Sequence, residues 1–129
     1  MRLLLDTNIL IGLLDPHLPA LDHNVRQAIA APDTVLNASV ASLWEMAIKV
    51  RLHKLLLGFE LNDLPNLLQR MGVVPLVINE RHVLTSVEPE PRTRDPFDRL
   101  LLAQCTVENF RLVTLDRVLK QHPMAWRPA

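Results

Sequence analysis

The sequence has 129 residues, a length at which a single domain around one core is the commonest arrangement. Hydrophobic residues make up 49%, which excludes a disordered chain, and the single cysteine, Cys105, excludes both a disulfide framework and a cysteine-rich zinc site. The 14 basic and 14 acidic residues cancel, which excludes a protein that collects nucleic acid or membrane through an overall positive field. We therefore expect one domain, residues 1–129, whose function depends on where its charges lie.

Short apolar runs alternate with helical patterns along the chain. The runs that predict strands are residues 2–6, 34–37, 73–78 and 111–114, with a small last strand at 124–126. The segments that predict helices are residues 9–14, 20–31, 40–57, 62–72, 79–87 and 95–109, with a short helix after Asp116. Strands that alternate with helices form a parallel sheet between two helical layers, so we predict a three-layer α/β/α domain with a short central parallel sheet.

Two side chains in the predicted helices are expected to pack in the core. Trp44 begins an apolar spacing that continues at Ala47 and Ile48, and Cys105 occupies a small apolar position. Aromatic residues make up only 4% of the chain, so we do not expect a platform on which the bases of a single-stranded nucleic acid stack.

The sequence predicts a cytoplasmic location with no membrane association. No stretch approaches the roughly 20 apolar residues that a membrane-spanning helix needs. The apolar start of the chain is interrupted by Asp6 and Asn8, which is too early for a secretory signal.

Four acidic residues are predicted to converge at one edge of the sheet. Asp6 ends the first strand, Asp116 follows the fourth, Asp98 lies in the first turn of the helix before that strand, and Glu45 lies in the helix after the second. The carboxyl ends of parallel strands meet at one edge, where open α/β folds bind ligands. Clustered carboxylates repel one another, and a divalent cation relieves that repulsion. Oxygen ligands without Cys or His select Mg²⁺ or Mn²⁺.

Each of these acids also has an ordinary local role as an alternative. Asp6 is a suitable residue for the turn at a strand end, and Asp116 can cap the short helix that follows it. Glu45 lies four residues before Lys49, which is the spacing of a surface ion pair on a helix. Asp95 and Asp98 have the spacing of a helix cap and its acidic partner.

Other polar residues border the predicted acidic edge. Their side chains could orient the carboxylates or metal-bound waters, or could equally serve as helix caps and turn residues; they are Thr7, Asn8, Ser39, Asp95, Thr114 and Arg99. A second group of basic residues could contact a phosphate backbone or could simply be solvated; it comprises Lys49, Arg51, His53, Lys54 and Arg94.

Four segments together resemble the PIN-domain ribonucleases, and specifically the VapC-type toxins of bacterial toxin–antitoxin pairs. They are LLLDTN at residues 3–8, SVASLWEMAIK at 39–49, RDPFDRLLLAQ at 94–104 and LVTLD at 112–116. Each segment alone is weakly specific, but the four occur in the order and spacing of that family over nearly the whole chain. Two features depart from the subgroup: Arg94 stands where it usually has His, and the preceding loop, residues 88–92, is acidic and rich in proline.

The resemblance implies a metal-dependent endoribonuclease in which Asp6, Glu45, Asp98 and Asp116 hold Mg²⁺ or Mn²⁺. It also implies an RNA substrate, a VapB-type antitoxin as partner, a homodimer, and contact with operator DNA only through the antitoxin. Asp95 is then either a helix cap or a residue that orients the site. Arg94 and the loop at 88–92 put the RNA preference in doubt more than the chemistry.

Two other classes of function remain as alternatives. A PIN scaffold of weak activity could act mainly by binding the antitoxin. A signalling receiver domain also binds Mg²⁺ at an acidic sheet edge, but it needs paired acids near the first strand and a phosphorylatable Asp after the third. Here Asp6 stands alone and the third run ends in Asn79, which disfavours a receiver.

Overall fold

The computed structural model describes residues 1–128, which form four strands and six α-helices. The strands are β1 (Arg2–Leu5), β2 (Val35–Ser39), β3 (Val73–Leu76) and β4 (Arg111–Val113). The helices are α1 (Thr7–Leu14), α2 (His23–Ala30), α3 (Val40–Arg51), α4 (Leu64–Arg70), α5 (Glu80–Leu84) and α6 (Pro96–Glu108). Two 3₁₀ turns, Leu61–Asp63 and Leu119–Gln121, complete the regular structure.

The four strands form one parallel sheet in the order β3-β2-β1-β4, which confirms the predicted fold class. The chain moves from β1 to β2 and β3 in one direction, and then crosses over to place β4 on the other side of β1. The order of the strands therefore reverses between β1 and β4. In open parallel sheets, this reversal opens a crevice at the carboxyl ends of the two strands.

Alternating residues of the central strand face two separate cores. Leu3 and Leu5 of β1 pack in one core with α1, α2, α3 and α4, whereas Leu4 packs in the other with α6. All three leucines are completely buried. A strand that is buried on both faces has a continuous apolar sequence, which is why the apolar run at residues 2–6 predicts β1 correctly.

Most element boundaries differ from the predictions by only a few residues. The helix predicted at 20–31 begins at His23, because the side chain of Asp22 caps it by accepting a hydrogen bond from Asn24 N at 3.0 Å. The predicted last strand at 124–126 is reduced to a single bridge between Ala125 and Leu112. Among the described residues, no helix is long and apolar enough to cross a membrane.

The prediction that Trp44 belongs to the core is wrong. Its side chain is 61% exposed, because α3 turns Ala41, Ser42 and Met46 toward the core instead. Trp44 packs at its edge against Phe97 of α6, with the ring centroids 5.9 Å apart. Cys105, by contrast, is fully buried as predicted.

Helix α6 ends at Glu108 and is capped by Asn109, whose φ of 60° and ψ of 48° lie in the left-handed region. Asn tolerates this conformation better than Ala, and Gly has no Cβ to oppose it. We expect Asn109→Ala to lower the free energy of unfolding by about 1 kcal/mol and Asn109→Gly to leave it unchanged or slightly higher. Urea denaturation of the three proteins tests this, and equal losses in both variants would contradict it.

Candidate active site

Asp6 follows β1 directly and lies in the crevice between β1 and β4. Only 7% of the residue is exposed. One carboxylate oxygen accepts a hydrogen bond from Thr7 N at 2.8 Å, and the other accepts one from the Thr114 hydroxyl at 2.6 Å. Burial raises the pKa of Asp6 above its ordinary value, and the negative charges of Glu45 and Asp116 raise it further, while the two hydrogen bonds oppose the shift.

The Thr114 hydroxyl connects two of the predicted site acids. It donates to Asp6 and accepts a hydrogen bond from Asp116 N at 3.0 Å. Asp116 in turn accepts hydrogen bonds from Val118 N and Leu119 N at 2.8 and 3.0 Å, so it does cap the turn that follows. Asp116 therefore caps this turn, as its local alternative role predicts, and it also lies at the acidic edge.

Asp98 lies in the first turn of α6 and faces the same group of acids. Its pKa is raised to about 6 by burial first, then by the charges of Asp95, Asp6 and Asp116. The hydroxyl of Thr93 donates to Asp98 Oδ2 at 3.1 Å and partly opposes this shift. Asp95 caps the helix by accepting a hydrogen bond from Phe97 N at 2.9 Å, as its position before Pro96 predicts.

Glu45 makes two polar contacts, one toward the site and one away from it. Its Oε1 accepts a hydrogen bond from the Thr7 hydroxyl at 2.7 Å. Its Oε2 lies 2.8 Å from Lys49 Nζ, so the predicted ion pair along the helix also forms. Thr7 thus links Glu45 to Asp6, because Thr7 N donates to the Asp6 carboxylate.

The structure brings the four predicted acids into one electrostatic group. Asp6 is influenced by the charges of Glu45 and Asp116, and Asp98 by those of Asp6 and Asp116. Within residues 1–128, no three His, Cys, Asp or Glu side chains are already gathered closely enough to enclose a metal ion. The donors nevertheless fit a hard divalent cation, since they are all carboxylates whose mutual repulsion such an ion relieves.

Two of the predicted orienting residues, Ser39 and Arg99, serve mainly to hold the backbone. Ser39 is buried and caps α3 by accepting a hydrogen bond from Ala41 N at 3.1 Å, whereas Asn8 is exposed. Arg99 binds the proline-rich loop rather than one of the four acids. It contacts Glu90 Oε1 at 2.6 Å and donates to the backbone oxygens of Pro91 and Thr93, which ties the proline-rich loop to α6.

The basic residues proposed to contact RNA divide into two sets. Lys49 is held in the ion pair with Glu45. Arg51, Lys54 and Arg94 are exposed, and none of the three forms an ion pair with another residue of the described chain, 1–128. Those three side chains keep their positive charges available to solvent or to a polyanion.

Thr93 is a site residue that the sequence analysis missed. Its hydroxyl donates to Asp98 and accepts a hydrogen bond from Asp95 N at 3.2 Å. A threonine two residues before a capping aspartate is a local signal for the second bond. The first bond depends on how the loop approaches α6, which no local pattern reveals.

A comparison with models of protein families shows to which family this α/β chain belongs. The family model described as the PIN domain matches residues 3–123, nearly the whole chain. The chain belongs to the PIN-domain family. PIN domains are generally nucleases that use divalent metal ions, which makes this one a hydrolase of nucleic acids in general terms. No curated protein shows a significant match to the chain.

In this PIN domain, the Thr114 hydroxyl is expected to keep Asp6 ionised. Thr114→Val removes the hydrogen bond that lowers the pKa of Asp6, so that pKa rises further. Since we expect the ionised carboxylate of Asp6 to be the active form, the acid limb of the pH–rate profile should move to higher pH and the rate on that limb should fall.

The rate of nucleic-acid cleavage as a function of pH checks this expectation. Thr106→Val is the matched control, because the one hydrogen bond of the Thr106 hydroxyl within the described part of the chain goes to the Leu102 backbone oxygen of α6. An unchanged acid limb in Thr114→Val would show that Thr114 does not act through Asp6.

Proposed function

We propose that this PIN domain is an endoribonuclease that depends on Mg²⁺ or Mn²⁺ and hydrolyses RNA phosphodiester bonds, and that it is the toxin of a VapBC-type toxin–antitoxin pair. The observation that carries the proposal is the raised pKa of Asp6 and of Asp98 at the crevice between β1 and β4, where burial and the charges of neighbouring acids raise both values. Electrostatic repulsion between neighbouring carboxylates is typical of a site that is completed by a cation.

The residues that hold the cation in this proposal are Asp6, Asp98 and Asp116, with Glu45 assisting. When bound, the cation neutralises charge on the phosphate and lowers the pKa of a water molecule, which is the chemistry that hydrolysis needs at neutral pH. Asp6 is the best-fixed ligand, because both of its oxygens already accept hydrogen bonds. The donor chemistry and the resemblance to the VapC-type toxins support both the presence of the metal and these roles of the residues.

Glu45 is the residue that we assign to orienting the attacking water. Its Oε1 is held by the Thr7 hydroxyl, so the carboxylate keeps a fixed direction relative to Asp6. Attack on phosphorus opposite the 3′ oxygen breaks the bond to that oxygen, which leaves with a proton. The products are a 5′-phosphate and a 3′-hydroxyl end.

Incubation of the purified protein with single-stranded RNA tests the proposed reaction. We expect cleavage with Mg²⁺ or Mn²⁺, none with excess EDTA, and fragments that carry 5′-phosphate ends. Single-stranded DNA of the same sequence is the control for substrate class. Cleavage that survives EDTA contradicts the metal dependence, and cleavage of the DNA alone contradicts an RNA substrate.

The partners in this proposal are a VapB-type antitoxin, a second copy of the chain, and operator DNA reached only through the antitoxin, all in the cytoplasm. Exposed apolar side chains support protein partners, among them Trp44 at 61% and Leu84 at 82% exposure. Growth arrest on expression, relieved by coexpression of a neighbouring antitoxin gene, tests the toxin role. Light scattering of the purified chain measures the dimer, and a monomer at micromolar concentration would contradict it.

A further inference from the structure

A cavity of about 420 Å³ opens beside the acidic group, on the β4 side of the crevice. Thr114 lines it, and the same side chain donates a hydrogen bond to Asp6, so the cavity and the acids share a wall. The remaining lining residues are Asp22, Val25, Leu115, Lys120, Trp126, Arg127 and Pro128. The volume is within the range of pockets that enclose small organic ligands, about 300–1,000 Å³.

The turn that positions Asp116 also positions the cations of this cavity. Lys120 N donates to the Asp116 backbone oxygen at 3.0 Å, so Lys120 lies one turn beyond the acid. The Arg127 guanidinium donates to the Lys120 backbone oxygen at 2.8 Å, which brings the second cation to the same wall. Within residues 1–128, Lys120 forms no ion pair with a carboxylate.

The aromatic ring of the cavity belongs to Trp126, which is fixed through its backbone. Trp126 N donates to the Leu112 backbone oxygen of β4 at 2.8 Å, and the side chain is half-buried against the larger core. The only acid in the lining, Asp22, uses its carboxylate to cap α2. The cavity therefore combines an aromatic face with two cations and one acid, and it lies next to the hydrogen bond between Thr114 and Asp6.

We propose that this cavity binds one nucleotide of the RNA, next to the phosphodiester bond that is cleaved. Trp126 stacks on the base as a single ring, which is less than the stacking platform that the low aromatic content disfavours, and Lys120 and Arg127 bind the adjoining phosphate. The inference rests on the proposed function, because it places the nucleotide relative to the acids that carry out cleavage. Stacking of a base on an aromatic ring and pairing of a phosphate with a cation require these side-chain types, and neither needs a particular base.

Tryptophan fluorescence tests the stacking directly. The chain has two tryptophans, so the Trp44→Phe change leaves Trp126 as the only one, and Asp6→Asn in the same protein prevents cleavage during the titration. We expect a single-stranded oligoribonucleotide to quench Trp126, and an abasic ribose-phosphate oligomer of equal length to leave the emission nearly unchanged. Equal effects of the two oligomers, or no quenching by either, would overturn the stacking; a cavity that binds a protein segment instead gives this second result.

Steady-state cleavage by otherwise unaltered protein tests the phosphate contact. Lys120→Gln should raise KM about tenfold with kcat within about twofold, and should reduce the slope of log(kcat/KM) against log[salt] by about one. Arg70→Gln is the matched control, since it removes an exposed cation on α4, away from the cavity. Lys120→Gln kinetics equal to those of Arg70→Gln would overturn the phosphate contact. Failure of the parent protein to cleave RNA at all would instead contradict the proposed function, and the fluorescence titration separates the two results.

Discussion

Replacing Asp6 by Asn is expected to lower the rate of RNA cleavage by roughly 10²–10³-fold, because a carboxylate ligand of a catalytic cation contributes several kcal/mol to transition-state stabilisation. The shape of the site is expected to survive. The amide oxygen of Asn can still accept one of the two hydrogen bonds, from Thr7 N or from the Thr114 hydroxyl, and the volume of Asn matches that of Asp. The loss is therefore assigned to the missing negative charge rather than to unfolding.

The matched control for this variant is Asp63→Asn. Asp63 is exposed, lies at the start of α4, and makes no side-chain capping bond there. The initial rates of cleavage of a fluorogenic RNA are measured at saturating Mn²⁺ for the two variants and the parent protein. Circular dichroism verifies that the variants are folded. A folded Asp6→Asn protein that cleaves within a few fold of the Asp63→Asn protein would exclude Asp6 from the reaction.

Replacing Asp98 by Asn is expected to make the metal-free protein more stable at pH 7.5 while impairing cleavage. The folded state raises the pKa of Asp98 from 3.8 to about 6, so at pH 7.5, where this carboxylate is ionised in both states, the folded protein holds the charge less favourably than the unfolded chain does. Asn removes that cost. The partial exposure of the residue reduces the gain to about 1–3 kcal/mol, which corresponds to a melting temperature higher by about 3–10 °C.

The pH dependence of this gain distinguishes charge from packing. Below the unfolded pKa of 3.8, both states of the parent protein hold the proton on Asp98, so its carboxyl carries no penalty and the advantage of Asn disappears. The penalty grows between pH 3.8 and 6 and is complete above pH 6. Thermal melts of both proteins in EDTA, at pH 4 and at pH 7.5, measure the difference. A gain of equal size at both pH values would mean that the charge of Asp98 is not its cause.

Addition of Mg²⁺ should narrow the difference in stability between the two proteins. A cation that binds only the folded state stabilises it according to its affinity, and a site with one carboxylate fewer binds more weakly. The parent protein should therefore gain more in melting temperature than Asp98→Asn does when the cation is added. Equal gains in the two proteins would show that Asp98 contributes nothing to cation binding.

Local patterns predicted much of the framework that carries the candidate site. The buried run at residues 2–6 predicted a central strand because both of its faces are covered, and it placed Asp6 at the end of that strand. Asp95 before Pro96 predicted the start of α6, and thereby placed Asp98 in its first turn. These features depend on neighbours in the chain, so periodicity and capping chemistry are sufficient to recognise them.

Residues that act through distant neighbours were not predictable in the same way. Trp44 was expected in the core because its helical spacing is apolar, but spacing does not show which side of α3 packs on the sheet, and the ring lies outside. The roles of Thr93 and Arg99 depend on the path of the proline-rich loop over α6. The cavity around Trp126 is assembled from α2, β4 and the last segment of the chain.

The linear order of the residues was sufficient to predict the fold class and to place Asp6 and Asp116 just after two strand ends, because each is signalled by a short stretch of chain. That the four acids form the reactive site stays a prediction. Only the folded chain shows that the Thr114 hydroxyl, 108 positions away, binds Asp6, and that burial and neighbouring charges raise the pKa values of Asp6 and Asp98. Hydrogen bonds across that separation and desolvation both depend on how the strands and helices pack, and packing is a property of the whole domain.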